Sequence, residues 1–248
     1  MNAVIIIFLY SNLSAQAQYE FQNIPCGTAL SVSEGIKLIS KIPDDYVIKK
    51  LFDNHTLLIP WLYTRETAER LNCRGASNHI WFHFWMPNLL PPSRGTNPAA
   101  TGVEKFRPTD NRYKRDDVTS YIASVNLEYI GDENTNNVYT ADKMIKSVLQ
   151  YLKDAQQVNM PNGLVRINSP IADKANLAYW YAVDQDAQML FRCNKHEAWM
   201  VVEICLGYVY FPVQKIEATV MLPADGMVNS KSIAGNILKL LEIWRVNK

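Results

Sequence analysis

The sequence lacks every complete catalytic motif that local spacing can reveal. It contains no G-x-S-x-G nucleophile turn, no P-loop, no G-x-G-x-x-G nucleotide motif and no H-E-x-x-H metal motif. It also has no C-x-x-C pair and no His-rich spacing, which argues against a zinc site. We therefore expect no metal and no cofactor.

Strong charge and long apolar runs are also missing. The formal net charge of the 248 residues is only +1, so partners must be sought in local patches rather than in a global field. No stretch reaches the roughly 20 apolar residues that span a bilayer, so no membrane partner is expected. With 48% hydrophobic residues, the chain is long enough to bury a sizeable core.

The N-terminal segment carries no charged side chain. Ala3–Leu13 is an apolar stretch of signal-peptide length, and Ala15-Gln16-Ala17 supplies a small-x-small cleavage pattern. We interpret residues 1–17 as a cleaved signal peptide and residues 18–248 as a single secreted domain. The alternative is that this segment is a buried N-terminal strand or helix.

The four cysteines favour disulfides, because an even number in a secreted chain is typical of paired thiols. Cys193 and Cys205 flank a predicted turn, so we pair them, which leaves Cys26 with Cys73. Free buried thiols are the alternative. A sequon that begins at Asn54 predicts N-glycosylation of a secreted protein.

The order of elements predicts an α+β fold with a mainly antiparallel central sheet flanked by helices. Helical spacing follows Thr140 and ends before Pro161. The other predicted helices are Ile171–Tyr181 and Ser232–Trp244. Strands are predicted at Thr56–Leu62, His79–Met86, Ala198–Leu206, Tyr208–Val213 and Ile216–Leu222. Residues 87–117 hold five prolines and two glycines, which predicts a long loop.

One aromatic strand carries two of the four histidines. Period-two geometry places His79, Trp81, His83 and Trp85 on one face. Imidazole can act as a general acid or base, and indole can stack on a base or a sugar. These residues are therefore a candidate substrate-binding face. The alternative is that both histidines are hydrogen-bonded structural residues.

The loop that follows is rich in basic residues, with Tyr113 among them. Such a run can contact phosphates, although a solvated loop is the alternative, since Asp116 and Asp117 partly neutralise it. The candidate binding residues are Arg107, Arg112, Lys114 and Arg115, accompanied by Arg94 and Lys105.

Residues 56–212 resemble the secreted ribonucleases of the T2 family. That family's first active-site motif reads roughly F-x-x-H-G-L-W-P, and here His83-Phe84-Trp85-Met86-Pro87 matches it at His83 and Pro87. Cys193-Asn194, followed by Glu203-Ile204-Cys205, is similar to the closing pattern of the family.

The resemblance implies a T2-ribonuclease-like fold, RNA or nucleotide binding, and His83 as a catalytic residue. The family's second motif, H-E-W-x-K-H-G-T-C, is missing between Asp117 and Thr140. Because phosphodiester cleavage needs two proton-transfer groups, we expect an impaired enzyme or a pseudoenzyme.

Two alternatives stay open. One is a secreted binding or effector protein of unrelated α+β fold, which would act through an extracellular protein partner and expose an apolar patch. The other is an active enzyme that recruits Glu128 or His196 in place of the missing motif.

Overall fold

The computed structural model describes residues 47–52, 55–64, 79–93, 96–97, 100–110, 113–114, 116–130, 141–152, 154–194 and 203–245. These residues fall into two compact units, one within residues 1–77 and 244–248 and the other within residues 78–243. Several predictions lie outside the described residues: the segment 1–17, Cys26, Asn54, Cys73, Arg94, Arg112, Arg115, Thr140 and His196. The single domain over residues 18–248 stays a prediction.

The first unit contains an antiparallel hairpin. Strand β1 (Val47–Phe52) pairs with β2 (His55–Pro60), and the one-turn helix α1 (Trp61–Thr64) follows directly. Leu57 and Ile59 of β2 are buried, as period-two alternation requires of a strand with one apolar face.

The second unit is built on an eight-stranded sheet in which every neighbouring pair is antiparallel. The strand order is β3-β4-β10-β9-β8-β7-β6-β5. The strands are β3 (His79–Met86), β4 (Tyr121–Tyr129), β5 (Gln156–Asn159), β6 (Val165–Asn168), β7 (Leu177–Val183), β8 (Gln188–Asn194), β9 (Ile204–Phe211) and β10 (Ile216–Pro223). The helices are α2 (Val103–Phe106), α3 (Ala141–Tyr151), α4 (Pro170–Lys174), a 3-10 helix (Ala224–Asn229) and α5 (Ser232–Trp244).

One face of the sheet is the main core. Alternate residues of the central strands are fully buried there, because strand side chains alternate between the two faces. Helix α5 lies on this side, where Nδ2 of Asn236 donates to Sδ of Met86 at 3.3 Å. The core residues of this face include Ile80, Phe82, Phe84, Val125, Leu127, Val209, Phe211, Ala218 and Val220.

Helix α3 packs on part of the opposite face and contacts β8 and β9. Leu152, just after the helix, forms a buried cluster with Ile167 of β6 and Ala172 of α4, and Val148 and Tyr179 pack against it. The β3 end of the same face carries more polar residues, and it is described below as the candidate site.

The predicted α+β class with a mainly antiparallel sheet is confirmed. The helix expected after Thr140 is α3, the C-terminal helix is α5, and the strand expected at Ile216 is β10. None of the helices that the structure describes is long and apolar enough to cross a membrane.

The predicted helix Ile171–Tyr181 is wrong. Its first residues form the short helix α4, where the side chain of Ser169 accepts a hydrogen bond from the Ile171 amide. Leu177–Val183 is instead strand β7, held between β6 and β8. Its aromatic residues suit a pleated surface, and sheet pairing outweighs the weak helical spacing.

The predicted break between two strands at Gly207 is also wrong, because β9 continues through it. A Cβ added to Gly207 would lie 2.5 Å from Cε1 of Phe191, on the neighbouring strand β8. This glycine therefore makes room for a core phenylalanine and does not end the strand. The predicted long loop contains one helical turn, α2.

Candidate functional site

The candidate site lies on the side of four adjacent strands that is opposite the main core, which we call the open face. The register of these strands aligns their side chains in rows across the sheet. The open face consists of His79, Trp81 and His83 of β3, Ser124, Asn126 and Glu128 of β4, Glu217, Thr219 and Met221 of β10, and Leu206, Tyr208 and Tyr210 of β9.

One row of the open face is rich in titratable groups. His79 lies opposite Glu128, which lies opposite Glu217, which in turn lies opposite Tyr210. Nε2 of His79 is 3.9 Å from Oε1 of Glu128, and both side chains are about half exposed. Burial, followed by the neighbouring charge of Glu128, raises the pKa of Glu217 to about 7.

The neighbouring rows carry Trp81 and His83. Trp81 is 52% exposed, which is unusual for a large aromatic side chain. Nδ1 of His83 is joined to Oγ of Ser124 by a 2.9 Å hydrogen bond. Because Glu128 lies opposite His79, it is four residues along the strand from the position opposite His83, or about 13 Å. The structure thus separates His83 from the carboxylate that the active-enzyme alternative assigns to it.

Trp85 lies on the same side of β3 but is only 1% exposed. Its ring stacks on Tyr113, with centroids 4.0 Å apart, and the Tyr113 hydroxyl accepts a 2.7 Å hydrogen bond from Nδ2 of Asn88. Residues of the long loop therefore cover Trp85 and close this end of the open face.

Unpartnered acceptors are concentrated on this side of the sheet. Among the residues that the structure describes, no hydrogen-bond partner reaches three buried oxygen atoms here: Oδ1 of Asn126, Oε2 of Glu217 and Oε1 of Gln188. Gln188 continues the row of Glu217 and Tyr210 onto β8. A buried acceptor without a donor costs free energy, so this group of side chains is not explained by stability alone.

No known protein family matches this chain, and no curated protein matches it. Its structure is similar to that of an immunity protein of the Stenotrophomonas maltophilia type IV secretion system. The TM-score is 0.53 at 11% sequence identity, over 82% of this chain and 94% of that one. A likeness at this identity concerns the fold.

The T2-ribonuclease prediction is therefore wrong. The eight-stranded antiparallel sheet matches the immunity protein instead, and neither the fold nor the comparisons support a ribonuclease, a ribonuclease pseudoenzyme or an RNA-binding protein. The two matching positions, His83 and Pro87, were too few to indicate homology.

Two of the predicted basic loop residues, Arg107 and Lys114, lie in different surroundings. Arg107 is only 8% exposed, and its guanidinium donates to Oδ1 of Asp225 at 2.8 Å and to the carbonyls of Val118 and Ser120. Its charge is thus used within the protein. Lys114 is exposed to solvent.

The predicted Cys193–Cys205 disulfide is confirmed, and it joins directly opposite residues of β8 and β9. Whether Cys26 pairs with Cys73 stays a prediction. In the described part of the chain, no group of three or more His, Cys, Asp or Glu side chains is placed to hold a metal ion.

The sequence alone indicates only the β3 part of the open face. It predicts strands that contain Glu217, Tyr208 and Tyr210 but assigns them no function, and it gives no signal for Asn126. The available signal was alternation: in Ile216–Leu222, the glutamate occupies a position between buried apolar residues, which places it on the opposite face.

Proposed function

We propose that this chain is a secreted binding protein that acts through a protein partner, in an effector/immunity-type role. The observation that carries the proposal is the likeness of its fold to an immunity protein of a secretion system. Because fold alone does not determine function, the residues of the open face are the second line of support.

The open face has the composition of a binding surface. Trp and Tyr are enriched at protein interfaces because they offer a large contact area with a polar end, and Trp81, Tyr208 and Tyr210 are all at least partly exposed here. The face also contains polar groups whose hydrogen bonds are not made within the described chain. Both features are consistent with a surface that is completed by a partner.

Secretion is part of the proposal. Residues 1–17 have the pattern of a signal peptide, and the Cys193–Cys205 bond suits an oxidising compartment outside the cytoplasm. We place the partner in the same compartment.

A site-specific crosslink tests the proposal. A photoreactive benzoylphenylalanine would replace Trp81 in one variant and Val228 in another, in the cells that produce the protein. The two positions are 52% and 53% exposed, and Val228 lies on the 3-10 helix, away from the open face. After irradiation, mass spectrometry identifies the adducts, and the purified partner is then titrated with the protein.

We expect a protein adduct from position 81 and none from position 228. The purified partner should bind the unmodified protein and bind a Trp81→Ala variant at least about tenfold more weakly, as for a typical interface hot spot. Equal adducts at both positions, or no adduct at position 81, would contradict the proposal.

A further inference from the structure

The four strands of the open face have an unusual distribution of charge. The chain contains 25 Lys and Arg residues, yet none falls in β3, β4, β9 or β10. The same strands contain two glutamates, Glu128 and Glu217, and both point to the open face. The cation on the neighbouring strand, Arg192, lies four residues along β8 from the row of Glu217, or about 13 Å.

The two glutamates are held close together by the sheet. Directly opposite residues on antiparallel strands have Cβ atoms about 5 Å apart, and like charges at that distance repel. His79 lies beside Glu128 on the outer strand, but both side chains are half exposed and 3.9 Å apart, so the contact is weak. A positive charge placed over the pair would relieve this repulsion.

Unpartnered acceptors lie at the same place. Oε2 of Glu217 has no donor among the described residues, and neither has Oδ1 of Asn126, which is diagonal to Glu217 across the strand pair. Both residues are partly exposed, although the two unpartnered oxygen atoms are themselves buried, so an arriving donor reaches them only when neighbouring side chains move. Two acceptors within about 7–8 Å require a group with several hydrogen-bond donors.

Aromatic rings border these groups on both sides. Trp81 lies opposite Asn126 on β3, and Tyr208 and Tyr210 lie beside Thr219 and Glu217 on β9. The faces of indole and phenol rings attract cations, and a guanidinium also stacks on them through its plane. Among natural cationic side chains, arginine combines five donors with a flat surface.

We infer that the open face binds an arginine side chain of the protein partner, with the guanidinium over Glu128 and Glu217 and beside Trp81. This inference rests on the proposed function and adds the chemistry of the contact. A bound guanidinium would neutralise the acidic pair. It would also donate hydrogen bonds to Oε2 of Glu217 and Oδ1 of Asn126.

The experiment uses N-acetyl-arginine methylamide as the probe and its neutral isostere, N-acetyl-citrulline methylamide, as the control. The mature protein, labelled with 15N, is titrated with each at neutral pH while the Trp81 indole and the amides of Glu128 and Glu217 are observed by NMR. The variants are Glu128→Gln combined with Glu217→Gln, and Glu242→Gln, which removes an exposed carboxylate from α5 on the other side of the sheet.

We expect the arginine probe to shift these signals with millimolar affinity and the citrulline probe to leave them unchanged. The double variant should lose at least about tenfold in affinity, since charge-assisted hydrogen bonds are removed, and Glu242→Gln should behave as the unmodified protein. Equal responses to both probes would refute the inference, as would arginine binding that survives in the double variant. Shifts of the same signals by inorganic phosphate instead would identify an anion site.

The two proposals can fail separately. A protein that binds the arginine probe but gives no protein adduct at position 81 would contradict the proposed function alone. A purified partner whose affinity is unaffected by the Glu128→Gln and Glu217→Gln pair would contradict the arginine contact alone.

Discussion

Glu217 should make the protein less stable as the pH rises. Burial is the larger cause and the charge of Glu128 the smaller cause of the increase in its pKa, from an ordinary value of 4.5 to about 7. A carboxyl group whose pKa is higher in the folded state holds its proton more tightly there than in the unfolded chain. Its ionisation therefore costs folding free energy that is absent below pH 4.5 and fully present above pH 7.

The size of this cost follows from the pKa change. At about 1.4 kcal/mol for each pH unit, the change corresponds to roughly 3 kcal/mol in the absence of solvent screening. Because Glu217 is partly exposed, screening reduces the expected cost to about 1–2 kcal/mol. A Glu217→Gln variant keeps the shape of the side chain without the charge, so it should be more stable than the unmodified protein by this amount at pH 8.

The assay is urea unfolding followed by tryptophan fluorescence at several pH values between 4 and 8, with the disulfide intact. The difference in unfolding free energy between the variant and the unmodified protein should be near zero at pH 4 and should rise through the interval from 4.5 to 7. Glu128→Gln should give a smaller gain at neutral pH, because it removes only the smaller cause. Glu242→Gln, on an exposed helix position, serves as the matched control.

Two results would refute this reasoning. A stability difference that is the same at every pH would mean that Glu217 titrates normally in the folded protein. A Glu217→Gln variant less stable than the unmodified protein at pH 8 would mean that the carboxylate has a stabilising partner. Since His79, Glu128 and Tyr210 share its row, His79→Gln would then identify whether that partner is the imidazole.

Three further changes test the packing of the sheet, each by urea unfolding. Replacing Cys193 and Cys205 together with Ala should cost about 3 kcal/mol, because the bond spans 12 residues in sequence; no loss would mean that it is dispensable. Gly207→Ala should cost about 1–3 kcal/mol, since its Cβ would meet Phe191 at 2.5 Å, and Phe191→Leu in the same chain should restore part of the loss. Tyr121→Phe should cost about 1–2 kcal/mol, because the buried hydroxyl lies within 3.1 Å of two oxygen atoms of the 3-10 helix; an unchanged stability would contradict those bonds.

The retained carboxylate at Glu217 connects stability with binding. A neutral side chain at this position is expected to be more stable, yet the chain carries an acid there, beside a second acid and an acceptor without a donor. Groups that lower stability are typical of functional sites, where the lost free energy is regained when a ligand binds. In the proposed contact, binding of the arginine would offset the loss of stability that the Glu217 carboxylate causes in the free protein.

The resemblance to T2 ribonucleases gave a wrong fold prediction for a specific reason. One histidine, one proline and a pair of cysteines recur in many unrelated secreted proteins, and their order does not fix which strands pair. The predicted disulfide is nevertheless confirmed, because Cys193 and Cys205 flank a connection between neighbouring strands. The T2-like fold predicted from the same residues is wrong, because a fold is defined by the order of strands in its sheet.

The sequence predicted correctly those helices and strands whose apolar residues recur with a clear period. Alternation over His79–Met86 gave strand β3 and its two faces, and apolar residues at helical spacing gave α3 and α5. The stretch Leu177–Val183 was predicted to be mostly helical, because the spacing of its aromatic residues fits a helix as well as a strand. Only pairing with β6 and β8 decided that it is a strand.

The sequence by itself determined the α+β class, the aromatic face of β3 and the Cys193–Cys205 bond. The tertiary structure decided which residues share the open face, because Trp81, Glu128, Glu217 and Tyr210 come from four strands spread over more than a hundred residues. It also decided that Trp85 is covered by Tyr113 and that Arg107 is paired with Asp225. Burial and charge pairing depend on neighbours that are remote in sequence, and one-dimensional periodicity carries no information about those neighbours.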